Sequence, residues 1–426
     1  MIAIIVLGLF LLLVIVGVPM AIALMTASVA GCLYIQTPMI SLGQAAFESL
    51  FSYTTSAIPF YIFAGVLMTR GGISKRLVDL AQVFVKRITG GLGMVSVLAC
   101  TFFAAISGSS TATTAAIGSM MVPQMEEHGY DKNYALAIVA SGGVVGPIIP
   151  PSIAFVLYGV STSTSVSDLF LGGIIPGIIM SIAMLLVVYA TSKVKGYTGI
   201  QGEKNTIADV GRAIWNAKWA ILVPVIILGG IYGGIFTPTE AGAVACVYAL
   251  LVSLFVEKSL KPIQIFDVLA EAAISSCVIL MLVASATMFG KVLTLGQIPQ
   301  IMTSYIMSIS SSALIAMILI NVLLFVVGCV MDATPAILIL SPLLLPIAKA
   351  FGFSALHFGV IMVVNLCIGS ITPPVGCCLF AASIVGNTKI EKIVRPVLPF
   401  LISLVISLIV IILVPELSTW LPSLFN

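Results

Sequence analysis

The sequence predicts an all-α polytopic membrane protein, an inverted repeat of five plus five spans with two re-entrant hairpins, broken helices and amphipathic arm helices. Three observations predict it. Of 426 residues, 60% are hydrophobic and only 8% charged, where a soluble domain carries about 25% charged residues. The stretch Ser141–Ser152, S-G-G-V-V-G-P-I-I-P-P-S, places Pro147, Pro150 and Pro151 inside what hydropathy alone reads as one span, and N-L-C-I-G-S-I-T-P-P-V-G at Asn365–Gly376 repeats the device. Residues 107–160 also align without a gap to the second half at an offset of 223, pairing Thr111 with Thr334, Pro123 with Pro346, Gly146 with Gly369, and Pro150 and Pro151 with Pro373 and Pro374. Apolar composition alone does not align glycines and prolines, so the chain is an internal duplication.

Apolar runs long enough to cross, or nearly cross, a bilayer of about 30 Å lie near residues 2–17, 19–36, 50–69, 134–160, 169–192, 219–236, 239–256, 272–290, 357–386 and 396–415. The first has no basic leader and no small-residue cleavage site, which makes it a span rather than a signal peptide. Two further apolar regions, 91–125 and 310–348, break in the middle at S-G-S-S-T (Ser107–Thr111) and at G-C-V-M-D-A-T-P (Gly328–Pro335), and read as hairpins. Prolines remove backbone donors and clash one turn back, so 134–160 and 357–386 read as broken spans. Non-helical backbone at membrane depth survives only where it is buried in protein or lines a polar cavity.

Between each third span and its hairpin lies a stretch too polar to cross. Its apolar positions are Leu77, Leu80, Ala81, Phe84, Val85 and Ile88 in the first copy, and Ile298, Ile301, Met302, Tyr305, Ile306 and Ile309 in the second. Both fit helices lying along the interface. The expected order is scaffold 1–69, arm 70–90, transport portion 91–192, cytoplasmic loop 193–218, scaffold 219–290, arm 291–309 and transport portion 310–426. Five crossings per half, an odd number, invert one half against the other. With residues 70–87 in the cytoplasm, only Lys291 and Lys349 of the 18 basic residues fall outside, as the positive-inside rule requires. Both termini are then periplasmic. Basic residues nowhere form a dense run, so no nucleic-acid partner is expected.

The hairpin tips are the candidate sites. Ser107–Thr114 (S-G-S-S-T-A-T-T) gathers hydroxyls where the chain must reverse, and its repeat mate holds Asp332, an intramembrane carboxylate and so a functional candidate. Asp332 also stands where it could cap the helix starting at Pro335. Thr237–Glu240 (T-P-T-E) reads as a capping box rather than an acidic site. All eight cysteines lie in apolar stretches without ligand spacing, and His128 and His357 have no partners, so no transition-metal site is expected. No zinc-protease motif, P-loop or paired carboxylates occur, which argues against an enzyme and for energy drawn from an ion gradient.

Five motifs together resemble the large membrane subunit of tripartite ATP-independent periplasmic (TRAP) transporters: S-G-S-S-T-A-T-T, G-P-I-I-P-P-S (Gly146–Ser152), G-I-F-T-P-T-E-A (Gly234–Ala241), M-D-A-T-P (Met331–Pro335) and T-P-P-V-G (Thr372–Gly376). The resemblance covers nearly the whole chain. It implies an elevator-type, sodium-driven carrier of carboxylate-bearing solutes in the bacterial inner membrane. Its partners would be a separate four-span small subunit and a periplasmic substrate-binding protein; because a moving interface could not keep a large apolar seam sealed, the scaffold spans are the expected contact with the small subunit. Sialic acid is the first expectation for the solute and C4-dicarboxylates the second.

Inverted repeats with broken helices are secondary-transporter architecture. Sodium is expected over protons, because a relay needs several intramembrane carboxylates or histidines and only Asp332 qualifies. Two or more sodium ions are expected as the coupling ions. One is placed among Ser107, Ser109, Ser110, Gly142, Gly146, Pro147 and Pro150, the other among Gly328, Asp332, Thr334, Gly369, Thr372 and Pro373. For the substrate the candidates are Ser110, Thr111, Ala112, Thr334, Pro335 and Asn365. Half-helices starting near Ala112 and Pro335 would turn their positive ends toward a carboxylate.

Overall fold

The computed structural model describes residues 2–85, 87–199, 207–309 and 312–425, and no strand occurs among them. The first repeat runs α1 (Ile2–Ile15), α2 (Met20–Ile35), α3 (Ile40–Leu50), α4 (Ala57–Arg70), α5 (Ile73–Val85), α6 (Gly91–Ser107), α7 (Ser110–Glu127), α8 (Lys132–Gly143), α9 (Ile153–Thr162) and α10 (Val166–Lys195). The second runs α11 (Ile207–Tyr232), α12 (Pro238–Leu251), α13 (Ile265–Leu295), α14 (Ile298–Ile309), α15 (Ala313–Val330), α16 (Ala333–Ala350), α17 (Ala355–Gly369), α18 (Cys377–Gly386), α19 (Ile390–Leu413) and α20 (Glu416–Ser423). The duplication is visible in the hairpins: α7 and α16 begin at 110 and 333 and end at 127 and 350, the same offset of 223 at both ends.

Local chemistry accounts for the ends. Thr237 caps α12 as the capping box requires, its hydroxyl accepting from the Glu240 amide at 3.3 Å while the Glu240 carboxylate accepts from the Thr237 amide at 2.8 Å. Gly196, with φ +75°, ends α10 in a left-handed cap. The expected run at 50–69 is helical from Ala57, as α4, and a separate helix α3 precedes it over Ile40–Leu50; together they stand where the second repeat has the unbroken 31-residue α13. Pro59 falls in the first turn of α4, where its missing amide costs no hydrogen bond, whereas α13 contains no proline. The expected loop at 193–218 is helical from Ile207, its segment 200–206 lying outside the described residues.

Both arms are helices, and α5 departs from the line of α4 by 71°. Leu77, Leu80 and Ala81 are buried on the first arm, while Phe84 and Ile88 are exposed. On the second, Ile298 is buried and Ile301 exposed; Lys86 and the side chains of Tyr305 and Ile309 lie outside the described set. Among the described residues seven helices are long and apolar enough to cross a membrane. Leu314, Ile318, Val322 and Val326 stand exposed along one stripe of α15, as a lipid-facing surface requires.

Packing mixes the repeats. Helix α4 lies on α12, and α2 and α4 lie on α13. Tyr61 Oη donates to the Pro238 carbonyl at 2.8 Å across that seam. In a second group α18 packs on α7 and α8, and its counterpart contact sets α16 on α9. The centre of this group is formed by the first halves of the two broken spans, buried at every position over Tyr134–Gly143 and His357–Gly369.

Candidate binding site at the hairpin tips

Helix α6 stops at Ser107 because Gly108 turns left-handed, φ +59°, and Ser109 starts α7 by accepting from the Ala112 amide at 3.4 Å. The hydroxyls around this turn donate inward. Thr113 reaches the Ser109 carbonyl at 2.7 Å and Thr114 the Ser110 carbonyl at 3.0 Å, with Ser107 Oγ 2.8 Å from Thr113 Oγ1. A hydroxyl that spends its proton this way keeps lone pairs free to face a cation.

The tip rests on the first break largely through backbone, with the Thr114 side chain against Gly143. A Cβ on Gly108 would meet the Pro151 carbonyl oxygen at 2.9 Å, and one on Gly146 would meet the Ser109 carbonyl oxygen at 2.5 Å. Helix α8 unwinds through tight turns at Val144, Val145 and Gly146. Pro150 and Pro151 cannot donate to the carbonyls of Gly146 and Pro147 one turn back. The Ser152 hydroxyl takes the Pro147 carbonyl, and the Ser152 side chain also caps α9 by accepting from the Phe155 amide at 3.2 Å. Among the described residues no hydrogen bond reaches the Gly146 carbonyl.

The second tip follows the same plan with different chemistry. Met331 is extended, and Asp332 caps α16, accepting from the Thr334 amide at 3.2 Å. Gly328 and Gly369 meet face to face: a Cβ on Gly369 would lie 2.5 Å from the Gly328 carbonyl carbon. The amides of Val375 and Gly376 both donate to the Cys329 carbonyl at 3.2 Å, locking the break to the hairpin. Both Pro–Pro bonds, 150–151 and 373–374, are cis. The breaks differ in exposure, for Pro150 and Pro151 are buried while Pro373 and Pro374 are exposed.

The two tips open into one cavity of about 370 Å³. Gly108, Ser109, Ser110 and Pro147 line it from the first repeat, and Asp332, Ala333, Thr334 and Pro335 from the second. Val278, Ile279 and Leu282 of α13 close the opposite wall, with Ile153 and Ala154 of α9 between. Ser107, Thr111 and Ala112 stand behind the first tip, outside the lining; Gly142 lies deeper, where a Cβ would come 2.8 Å from Cys100 Sγ. Gly146 and Pro150 sit in the first joint; Gly328, Gly369, Thr372 and Pro373 belong to the second. Asn365 is not brought to the cavity lining. It is buried on α17 and donates through Nδ2 to Asn321 of α15, to the backbone oxygen at 3.0 Å and to Oδ1 at 2.6 Å. The α13 wall was not legible as a site, because apolar residues in a span look alike whether they face lipid or a cavity. Among the described residues Asp332 is the only charged side chain on the cavity.

The family model for the DctM component of tripartite ATP-independent periplasmic transporters matches residues 7–417. An isethionate TRAP transporter permease of Oleidesulfovibrio alaskensis is 45% identical over 95% of this chain, which spans 64% of that relative's length. The C4-dicarboxylate large permease of Pseudomonas aeruginosa is 40% identical, covering 90% of this chain and 89% of its own, and the sialic acid large permease of Vibrio cholerae is 34% identical over 96% of both. Among solved structures the YdaH transporter of Alcanivorax borkumensis, described as having an unusual topology, superposes with a TM-score of 0.61 over 87% of this chain and 88% of its own at 13% identity, a likeness of fold alone. The chain belongs to the DctM component family of tripartite ATP-independent periplasmic transporters.

Proposed function

We propose that this chain is a sodium-coupled large permease that carries an organic anion across the inner membrane by an elevator motion of residues 91–192 and 310–426 against the scaffold. The observation that carries the reading is the convergence of both hairpin tips and the apolar α13 wall on one cavity. Helices α7 and α16 both begin there, so unpaired amides and positive dipole ends are available to an acidic group. An anion held that way needs little basic side-chain charge.

Sodium is supported by the donor set. The first ion would sit between Ser107–Ser110 and Gly142–Pro150, where the Gly146 carbonyl has no hydrogen bond among the described residues and the neighbouring Thr113 and Thr114 hydroxyls have spent their protons. The second would lie between Gly328–Thr334 and Gly369–Pro373, with the Asp332 carboxylate at hand. Hard oxygen donors of this kind suit a hard monovalent cation. For the solute, the relatives named for isethionate and C4-dicarboxylate are more similar to this chain than the one named for sialic acid. That moves the reading from sialic acid toward a small carboxylate or sulfonate.

A four-span small subunit is proposed to bind the scaffold spans 2–69 and 219–290, since a moving interface cannot keep a large apolar seam sealed. A periplasmic protein would deliver the solute, with both termini on that side. The test is uptake of labelled isethionate, succinate and sialic acid by the reconstituted complex, with sodium or choline outside and with the small subunit and binding protein present or omitted. Sodium-dependent uptake that requires both partners is expected. Uptake that persists in choline and follows a proton gradient refutes sodium coupling.

A further inference from the structure

We propose that a second cleft, distinct from the hairpin cavity, is the entry vestibule for the solute, and that Lys291 on its scaffold wall is the charge that draws the anion in. The inference rests on the reading of the chain as an anion carrier and adds a residue and a path to it.

The cleft has a volume of about 490 Å³, within the range of about 300–1,000 Å³ that holds small ligands. Three helices line both cavities in the same order. On α13 the hairpin cavity ends at Leu282 and the cleft begins at Val283; on α16 they take Pro335 and Leu338; on α9 they take Ala154 and Val160. The cleft is therefore the continuation of the hairpin cavity toward the C-terminal ends of these helices. Lys291 stands nine residues beyond Leu282, about 13 Å further along α13.

The wall carried by α9 and α16 is neutral, and the charge in the cleft comes from α13 and α3, as Lys291 and Glu48. Neither forms an ion pair among the described residues. Lys291 is also one of only two basic residues that the charge pattern leaves outside. An ammonium on the α13 wall, facing the neutral α9 and α16 wall, is an electrostatic lure for an anion, acting on capture rather than on the later step. Glu48, on the same cleft, opposes it and turns the acidic group of the solute toward α13.

The test reads the local potential directly. Thr294 lines the cleft one turn from Lys291, about 5–6 Å away. In the full complex, with the exposed Cys277 replaced by serine, Thr294→Cys is labelled from outside by anionic and by cationic membrane-impermeant thiol reagents. One unit charge at about 6 Å in bulk-water dielectric changes each rate about threefold, so Lys291→Gln is expected to lower the anion-to-cation rate ratio about tenfold. Lys291→Arg should retain the ratio and Glu48→Gln should raise it. At about 1 M salt the differences should collapse, the Debye length there being about 3 Å. Isethionate or succinate should slow labelling in the Lys291 protein. In uptake, Lys291→Gln should raise half-saturating solute about threefold without altering the maximal rate. An unchanged rate ratio, no labelling from outside, or a loss confined to the maximal rate overturns the proposal. A wild-type complex that carries no anion, with the ratio still set by Lys291, overturns the carrier reading instead.

Discussion

Gly146 and Gly369 hold the hairpins to the breaks by having no side chain, and adding one methyl group to each is the sharpest perturbation the geometry offers. A Cβ at Gly146 would lie 2.5 Å from the Ser109 carbonyl oxygen, and one at Gly369 would lie 2.5 Å from the Gly328 carbonyl carbon. Ordinary contact begins near 3.4 Å, so each hairpin tip must retreat by 0.9 Å, the difference between those two distances. The obstacle is backbone in both cases and cannot swing aside. Overpacking of this kind costs about 1–3 kcal/mol. If the sodium sites are assembled only when tip and break are docked, that cost falls on the sodium-bound state, and half-saturating sodium should rise about 5- to 150-fold, at about 1.4 kcal/mol per factor of ten. The control is Gly229→Ala on α11, which has open space around it. The assay is uptake against sodium by the reconstituted complex, normalised to folded protein from size-exclusion chromatography. Unchanged half-saturation in well-folded Gly146→Ala and Gly369→Ala would refute the claim that these joints build the ion sites.

Replacing Pro150 and Pro151, or Pro373 and Pro374, with alanine lets the helix re-form across the break and withdraw carbonyls from the ion. Alanine favours a helix interior by about 3 kcal/mol over proline, so sodium affinity should drop several-fold with insertion intact; lower folded yield at constant affinity would instead make the prolines packing kinks. Asp332→Asn keeps a residue type that caps well while removing the charge. It should leave thermal stability unaltered and raise half-saturating sodium, whereas unchanged sodium dependence would leave Asp332 as a cap only. Engineered disulfides between Val283 of α13 and Leu338 of α16, which face the same cleft, should stop uptake and reduction should restore it. Full uptake with that bond closed would rule out motion of α16 against α13.

What the sequence determined by itself is whatever acts within a turn or two of backbone. Pro150, Pro151, Pro373 and Pro374 deny donors to carbonyls one turn back in any tertiary setting, so both breaks and the family resemblance were legible. Thr237 and Glu240 make their cap locally, and Asp332 proves to cap α16 while also facing the cavity. The duplication was readable because the prolines and glycines that stop helices recur at a constant offset, and α7 and α16 keep that offset at both ends. What only the tertiary structure decided is which surfaces meet. Gly108 and Gly146 read from the sequence as freedom to bend, whereas in the fold they are also places where another backbone must approach within contact distance. Asn365 belongs to a pair with Asn321, across α15 and α17, which no spacing foretells. The exchange that sets α18 on α7 and α16 on α9 is likewise invisible in either half alone. Hydropathy reports only that a side chain prefers to leave water. Lipid, a neighbouring helix and the wall of a cavity satisfy that preference equally well, so packing alone makes Val278, Ile279 and Leu282 part of a site.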